Sequence, residues 1–149
     1  MTFQDIENAI IVALQGLSVF KVVKTYAGEA SGEIEQLPIQ FPSAFVVYSG
    51  SKYEWADTKT GMETATFNVL VCARSARTIL GGINEDTREN AATGAYALLN
   101  AVIPALAWKD LGLALSVPVE PVGIRLLAAT KTTVIYALEL EAAFDRDYL

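Results

Sequence analysis

The chain contains no histidine. This removes the commonest general base and the commonest metal ligand, and with them every Ser-His and Cys-His nucleophilic pair. A single cysteine, Cys72, allows no internal disulfide. It lies within an apolar run, where a small buried hydrophobe is expected. No apolar stretch approaches the roughly 18 residues of a membrane-crossing helix. No basic segment followed by an apolar one opens the chain, so no signal peptide is visible and residence in a cytoplasm is expected. Positive charge is scarce as well: 11 basic residues against 17 acidic ones leave a net charge of −6. General nucleic-acid binding needs a basic face to displace counterions, so this balance argues against it. It leaves room for a surface that DNA passes without adhering.

What the chain does have is apolar substance. At 149 residues and 52% hydrophobic, it is long enough and apolar enough for one ordered domain spanning 1–149. No repeat, low-complexity tract or linker divides it. The stretch Asn84–Leu106 predicts one long amphipathic helix, about 30 Å at 1.5 Å per residue. Ala91, Ala92, Ala95, Leu98, Leu99, Val102, Ile103 and Leu106 recur on one face. Asn84 is its predicted N-cap, Glu85 and Asp86 suit the positive end of its dipole, and Pro104 should kink or end it. Thr2–Gln15 predicts a second helix, with Thr2 and Asp5 as a capping box, an apolar stripe of Phe3, Ile6, Ile10 and Leu14, and Gly16 as the stop.

Strand patterns fill much of the remainder. Val19–Tyr26 reads as an edge strand, its lysines discouraging stray pairing. Ser43–Ser49 is apolar on both sides and predicts a strand covered on both faces. Met62–Ala73 alternates, with Ala65, Phe67, Val69, Val71 and Ala73 facing a core. Thr133–Phe144 alternates too, with Val134, Tyr136, Leu138, Leu140, Ala142 and Phe144 inward. Ser43–Ser49 and Met62–Ala73 should pair as a hairpin, joined by a long polar loop from Gly50 to Gly61. Residues 27–42 read as an acidic connector with a short helix within it. Ser116–Gly123, with Pro118 and Pro121, reads as an irregular crossing segment before a short strand at Ile124–Leu127. The sum is an α+β domain: a mostly antiparallel sheet of four or five strands, with the N-terminal helix and the long central helix packed on it.

Candidate functional residues are those whose chemistry the fold does not require. Tyr53 and Trp55 stand in the projecting 50–61 stretch, and exposed aromatics there are good interface anchors. Arg74, Arg77 and Arg88 cluster around the start of the central helix. Gly81-Gly82 precedes that helix, but neither a Walker pattern nor Gly-x-Gly-x-x-Gly spacing is present, so nucleotide binding is not supported. Glu139 and Glu141 share one face of the last strand, which grows acidic towards Asp145. Two carboxylates two apart on a strand lack a catalytic partner and read as solvated or interface acids. No cofactor is expected.

Several segments together carry a resemblance: FPSAFVVYSG, TFNVLVCARS, ENAATGAYALLNAV and IRLLAATKTTVIYALELEAAFD resemble a family of Mu-like phage and prophage tail terminator, or tail-completion, proteins. The resemblance implies a structural protein without catalysis or cofactor. Copies would form a ring, usually a hexamer, on the last ring of the tail tube. The ring would stop tube polymerisation and offer a surface to the head–tail connector, and in contractile tails to the sheath. The chain would act in the host cytoplasm during assembly and then in the virion tail, with DNA passing through unbound. A ring needs one patch meeting a different patch on the next copy. Arg74, Arg77 and Arg88 on one side and Glu139, Glu141 and Asp145 on the other are the expected pair. Two alternatives stand beside this reading: a head-completion or neck adaptor protein of the same class, and a small histidine-free enzyme.

Overall fold

The computed structural model describes residues 1–26, 40–74, 94–129 and 133–147. Two helices lie on one face of a five-stranded sheet of order β1-β2-β3-β5-β4, with α1 at Phe3–Gln15, β1 at Val22–Thr25, β2 at Ser43–Trp55, β3 at Thr60–Arg74, α2 at Ala95–Leu106, β4 at Val117–Ala129 and β5 at Thr133–Asp147. β1 runs parallel to β2, and the other neighbours are antiparallel. The α+β class therefore holds.

α1 forms as its sequence dictates. The Thr2 hydroxyl accepts from the Asp5 N–H at 3.1 Å, and the Asp5 carboxylate accepts from the Thr2 N–H at 2.7 Å. This reciprocal box satisfies two donors that a helix start otherwise leaves open. Ile6, Ile10 and Leu14 then fall on one buried face. They meet Leu98, Leu99 and Val102 of α2 and the inward set of the sheet: Ala44 and Val46, then Ala65, Phe67, Val69 and Val71, then Val134, Leu138, Leu140 and Phe144. The two alternating patterns read from the sequence thus identify the core face of β3 and β5. On the opposite face a smaller cluster gathers Phe45, Leu70, Cys72, Ile135 and Ala137. Cys72 is fully buried within it.

Four boundaries differ from the sequence reading, three of them for a physical reason that the pairing or the backbone shows. The central helix is not long: α2 begins at Ala95, with Gly94 as an extended N-cap at φ −67° and ψ 154°. Glycine is a poor helix interior residue and readily leaves helical geometry, so it ends the helix where the apolar periodicity continues. The cap assigned to Asn84 lies outside the described residues, as do the acidic connector at 27–39 and the arginine loop beyond Arg74. Pro104 sits in the last turn, and the helix stops at Leu106.

The predicted 50–61 loop is mostly strand. β2 continues to Trp55 and pairs with β3 through Lys52↔Thr64, Tyr53↔Glu63 and Trp55↔Gly61. A register shift between Tyr48 and Gly50 makes this possible, with Gly50 at φ +135°. Such a bulge lets a strand absorb an extra residue and resume pairing. The turn itself is 56–59. Ser116–Gly123 is likewise strand, not an irregular crossing: β4 starts at Val117. Its prolines are tolerated because β4 is an edge, and two register irregularities, between Val117 and Glu120 and between Pro121 and Gly123, accommodate them. β1 is shorter than Val19–Tyr26, and it is indeed the other edge.

Burial separates positions that sequence alone treats alike. Leu138→Ala should cost roughly 2–5 kcal/mol, because it opens a cavity in the core between helices and sheet. Leu127→Ala, on the exposed side of β4, should change stability by less than about 0.5 kcal/mol. Chemical denaturation of both variants checks this contrast.

Candidate assembly interface

The hairpin end of the sheet is organised by one buried charge. Glu63 shares the inward register of β3 with Ala65 and Phe67 and is fully buried. An isolated carboxylate there would be very costly. Arg146, diagonal to it on β5, supplies the partner: its Nε donates to Glu63 Oε1 at 2.7 Å. Its Nη1 donates to the Met1 carbonyl at 3.0 Å. The guanidinium also lies over the Phe144 ring at 4.8 Å and the Phe3 ring at 5.4 Å from their centroids. One cation therefore joins β3, β5 and the start of α1.

Burial by itself would push the Glu63 carboxyl up. The Arg146 hydrogen bond, the Ser51 hydroxyl, the Arg146 charge and the Tyr53 hydroxyl together outweigh it, and the group titrates below the ordinary glutamate value. Glu63 Oε2 has no hydrogen bond of full geometry, and the Ser51 and Tyr53 hydroxyls near the carboxylate favour its ionised form.

Beyond this pair the hairpin projects. Tyr53 and Trp55 lie two apart on β2 and hence on one face. Their rings stack at 5.6 Å between centroids, 4° from parallel, and they are 46% and 54% exposed. The sequence placed both in a loop; the structure places them on a paired strand, a stiffer platform. Gly61 faces Trp55 across the pair, and a Cβ there would lie 2.9 Å from Trp55 Cε3 and 2.6 Å from the Glu54 carbonyl. The missing side chain is what lets the indole rest on the neighbouring strand. The Asp57 carboxylate accepts from the N–H groups of Lys59 and Thr60, both at 2.8 Å, and fixes the turn. Those bonds hold the Asp57 pKa below its usual value. A cleft of about 570 Å³ runs along this end, with Trp55, Gly61, Met62, Asp145 and Arg146 among its walls.

The remaining predicted residues divide between two places. Glu139 and Glu141 are partly exposed on the face of β5 away from the helices, and Asp145 is exposed further along it. Glu120 of β4 stands directly opposite Glu141, a fourth acid that the sequence reading missed because it took 116–123 for irregular chain. Like charges so placed cost stability. None of the four carboxylates has an ion-pair partner among the described residues. Arg74 closes β3 at the opposite end of the sheet, paired with Thr133. Arg77 and Arg88 lie outside the described residues. The structure thus brings Tyr53, Trp55 and Asp145 to one end, Arg74 to the other, and Glu139 and Glu141 to the face between.

Glu63 and Arg146 also escaped the sequence reading, although a signal was present. Both share the parity of apolar inward-facing neighbours, and a charge in that register requires a buried partner. Among the described residues no three histidine, cysteine, aspartate or glutamate side chains converge as a metal site, and no helix is long and apolar enough to cross a membrane.

The pair makes a pH-dependent prediction. A carboxyl whose folded pKa is depressed stabilises fully above its unfolded value, near 4.5, and loses that contribution as pH falls through the lower folded value. In Arg146→Met, burial is opposed only by the Ser51 and Tyr53 hydroxyls, so the folded pKa rises relative to wild type and the stabilisation that the ionised Glu63 supplies at higher pH is lost. The gap between wild type and variant should therefore widen from pH 4 to 7, reaching roughly 3–5 kcal/mol. Denaturation curves at stepped pH measure it.

The family described as Bacteriophage Mu, Gp37 matches residues 2–145 of the chain. No curated protein matches it.

Proposed function

Because the chain belongs to the bacteriophage Mu Gp37 family and is thereby a phage structural and assembly protein, we propose that it is a tail terminator: copies assemble as a ring, a hexamer in this reading, that caps the tail tube, stops its polymerisation and presents a joining surface to the head–tail connector. In a contractile tail the same ring would meet the end of the sheath.

The observation that carries this reading is the asymmetry of the sheet. One face is sealed by α1 and α2. The other carries Glu120, Glu139, Glu141 and Asp145 towards the hairpin end, none of them ion-paired among the described residues, with Arg125 diagonal to Glu139 as the neighbouring cation on β4. A protein that retains opposed carboxylates at a cost in stability has a use for the field they make. A wall of negative charge repels phosphate, and it is what a channel needs if DNA is to traverse it without adhering. The braced Tyr53–Trp55 stack supplies the other requirement, an apolar contact that projects beyond the body towards tube or neighbour. Arg74, with Arg77 and Arg88 in the segment that follows it, remains the proposed basic counterpart of the acidic residues across a copy-to-copy contact.

Electron microscopy of tail-tube protein polymerised with and without this chain tests the reading. Shorter tubes carrying an extra terminal ring are expected. Tubes of unchanged length without a cap, together with binding of the chain to isolated connector, would replace the terminator with a neck adaptor.

A further inference from the structure

Six of the twelve large exposed apolar groups among the described residues gather in two places, and these lie at opposite corners of the sheet. One is the hairpin tip, where Trp55↔Gly61 and Thr60↔Asp147 are the last pairs. The other is the later half of β4, at the end where Ala129↔Val134 and Arg74↔Thr133 pair. β2 lies on one side of the β3–β5 pair and β4 on the other, so the two patches are diagonal.

The β4 patch consists of Val122, Ile124, Leu126 and Leu127, all between 44% and 51% exposed. Among the described residues the outer edge of β4 is occupied only at its start, where Val119 donates to the Lys109 carbonyl and accepts from the Trp108 N–H. From Glu120 onwards β4 is the sheet's edge. A long apolar edge left open invites pairing or docking.

Charge identifies the occupant. A chain of net charge −6 repels copies of itself over most of its surface. The stretch 121–129 contains no acid, and its one charged residue is Arg125. The hairpin end offers exposed Glu54, Asp57 and Asp145, alongside Lys52 and Lys59. An apolar strip with an arginine at one corner and an aromatic tip with acids at the other are complementary.

We propose that the hairpin tip of one copy docks on the β4 strip of the next. Trp55 and Tyr53 pack against Ile124 and Leu126, and Arg125 meets Glu54 and Asp57. The proposal rests on the ring reading and supplies its contact. Diagonal patches make the contact head-to-tail: each copy gives its tip to one neighbour and its strip to another, which closes a ring when the rotation per copy permits. Because Gly61 and the Tyr53 stack already hold the indole, little side-chain freedom is lost on docking. The basic end around Arg74 then lies on the same side as the strip, and Asp145 on the same side as the tip.

The test is disulfide trapping in the full chain, both at high concentration alone and on capped tubes. Thr58→Cys marks the turn and Val122→Cys the strip, both at exposed positions; Cys72 is buried and should stay silent. The double variant is expected to give a ladder of multimers on a denaturing gel. Each single variant should stay monomeric, and a mixture of the two should give heterodimer and nothing larger. Adding Leu126→Lys to the double variant should abolish the ladder.

Dimers from Val122→Cys alone would mean that strips meet each other about a two-fold axis, and would overturn the proposal. So would the absence of a ladder under both conditions. Rings on tubes without the ladder would defeat this contact and leave the terminator standing. A ladder with uncapped tubes would uphold the contact and defeat the terminator.

Discussion

A carboxylate buried in a sheet's core face must find a cation, and much of the hairpin end of this protein follows from how Glu63 finds Arg146. The arginine reaches Glu63 from a diagonal position on the neighbouring strand, and its second donor takes the Met1 carbonyl. It also covers two aromatic rings, one on β5 and one on α1. A slip of one residue between β3 and β5 would turn one partner to the opposite face and leave the other charge unpaired. The pair therefore adds little over a well-packed apolar pair in stability, but it fixes register strongly. It also ties the first turn of α1 to the last turns of the sheet, so the platform beneath Tyr53 and Trp55 has a rigid base.

From that base the protein acquires two kinds of asymmetry. Across the sheet, a helix-covered apolar face opposes one that is apolar near Cys72 and acidic near Glu141. Along it, an aromatic, acid-bearing tip opposes an apolar strip with Arg125. An object with different chemistry at its two ends can associate head-to-tail, and one with an anionic face can enclose a space that nucleic acid crosses freely. Neither property needs a pocket, a cofactor or a titrating base, which accords with a chain that has no histidine and belongs to a family of phage structural proteins.

The parts legible in the sequence were those governed by strict periodicity. The inward sets of β3 and β5, the capping box at Thr2 and Asp5, the edge position of β1 and the buried state of Cys72 all follow from spacing and side-chain type. What sequence hid was set by pairing. Polar Ser51–Glu54 looks like loop, yet Gly50 lets it continue as strand because β3 is there to receive it. Pro118 and Pro121 look like breakers, yet an edge strand with bulges accepts them, which is why Glu120 and the strip from Val122 to Leu127 went unread. Gly94 ended a helix whose apolar spacing runs on without interruption. At the interface, Tyr53 and Trp55 were found by their chemistry. The diagonal relation between them and β4 is a property of strand order, which no local pattern encodes.

If Arg146 is the pin on which the hairpin platform depends, its loss should be felt beyond β5. Amide hydrogen exchange in wild type and Arg146→Met, followed residue by residue, is the most direct measurement. Protection should fall together at Lys52–Trp55, at Gly61–Glu63 and in the first turn of α1, while Leu70, Val71 and Leu138 keep theirs. Loss confined to the last residues of β5, with the hairpin and the start of α1 unchanged, would contradict it.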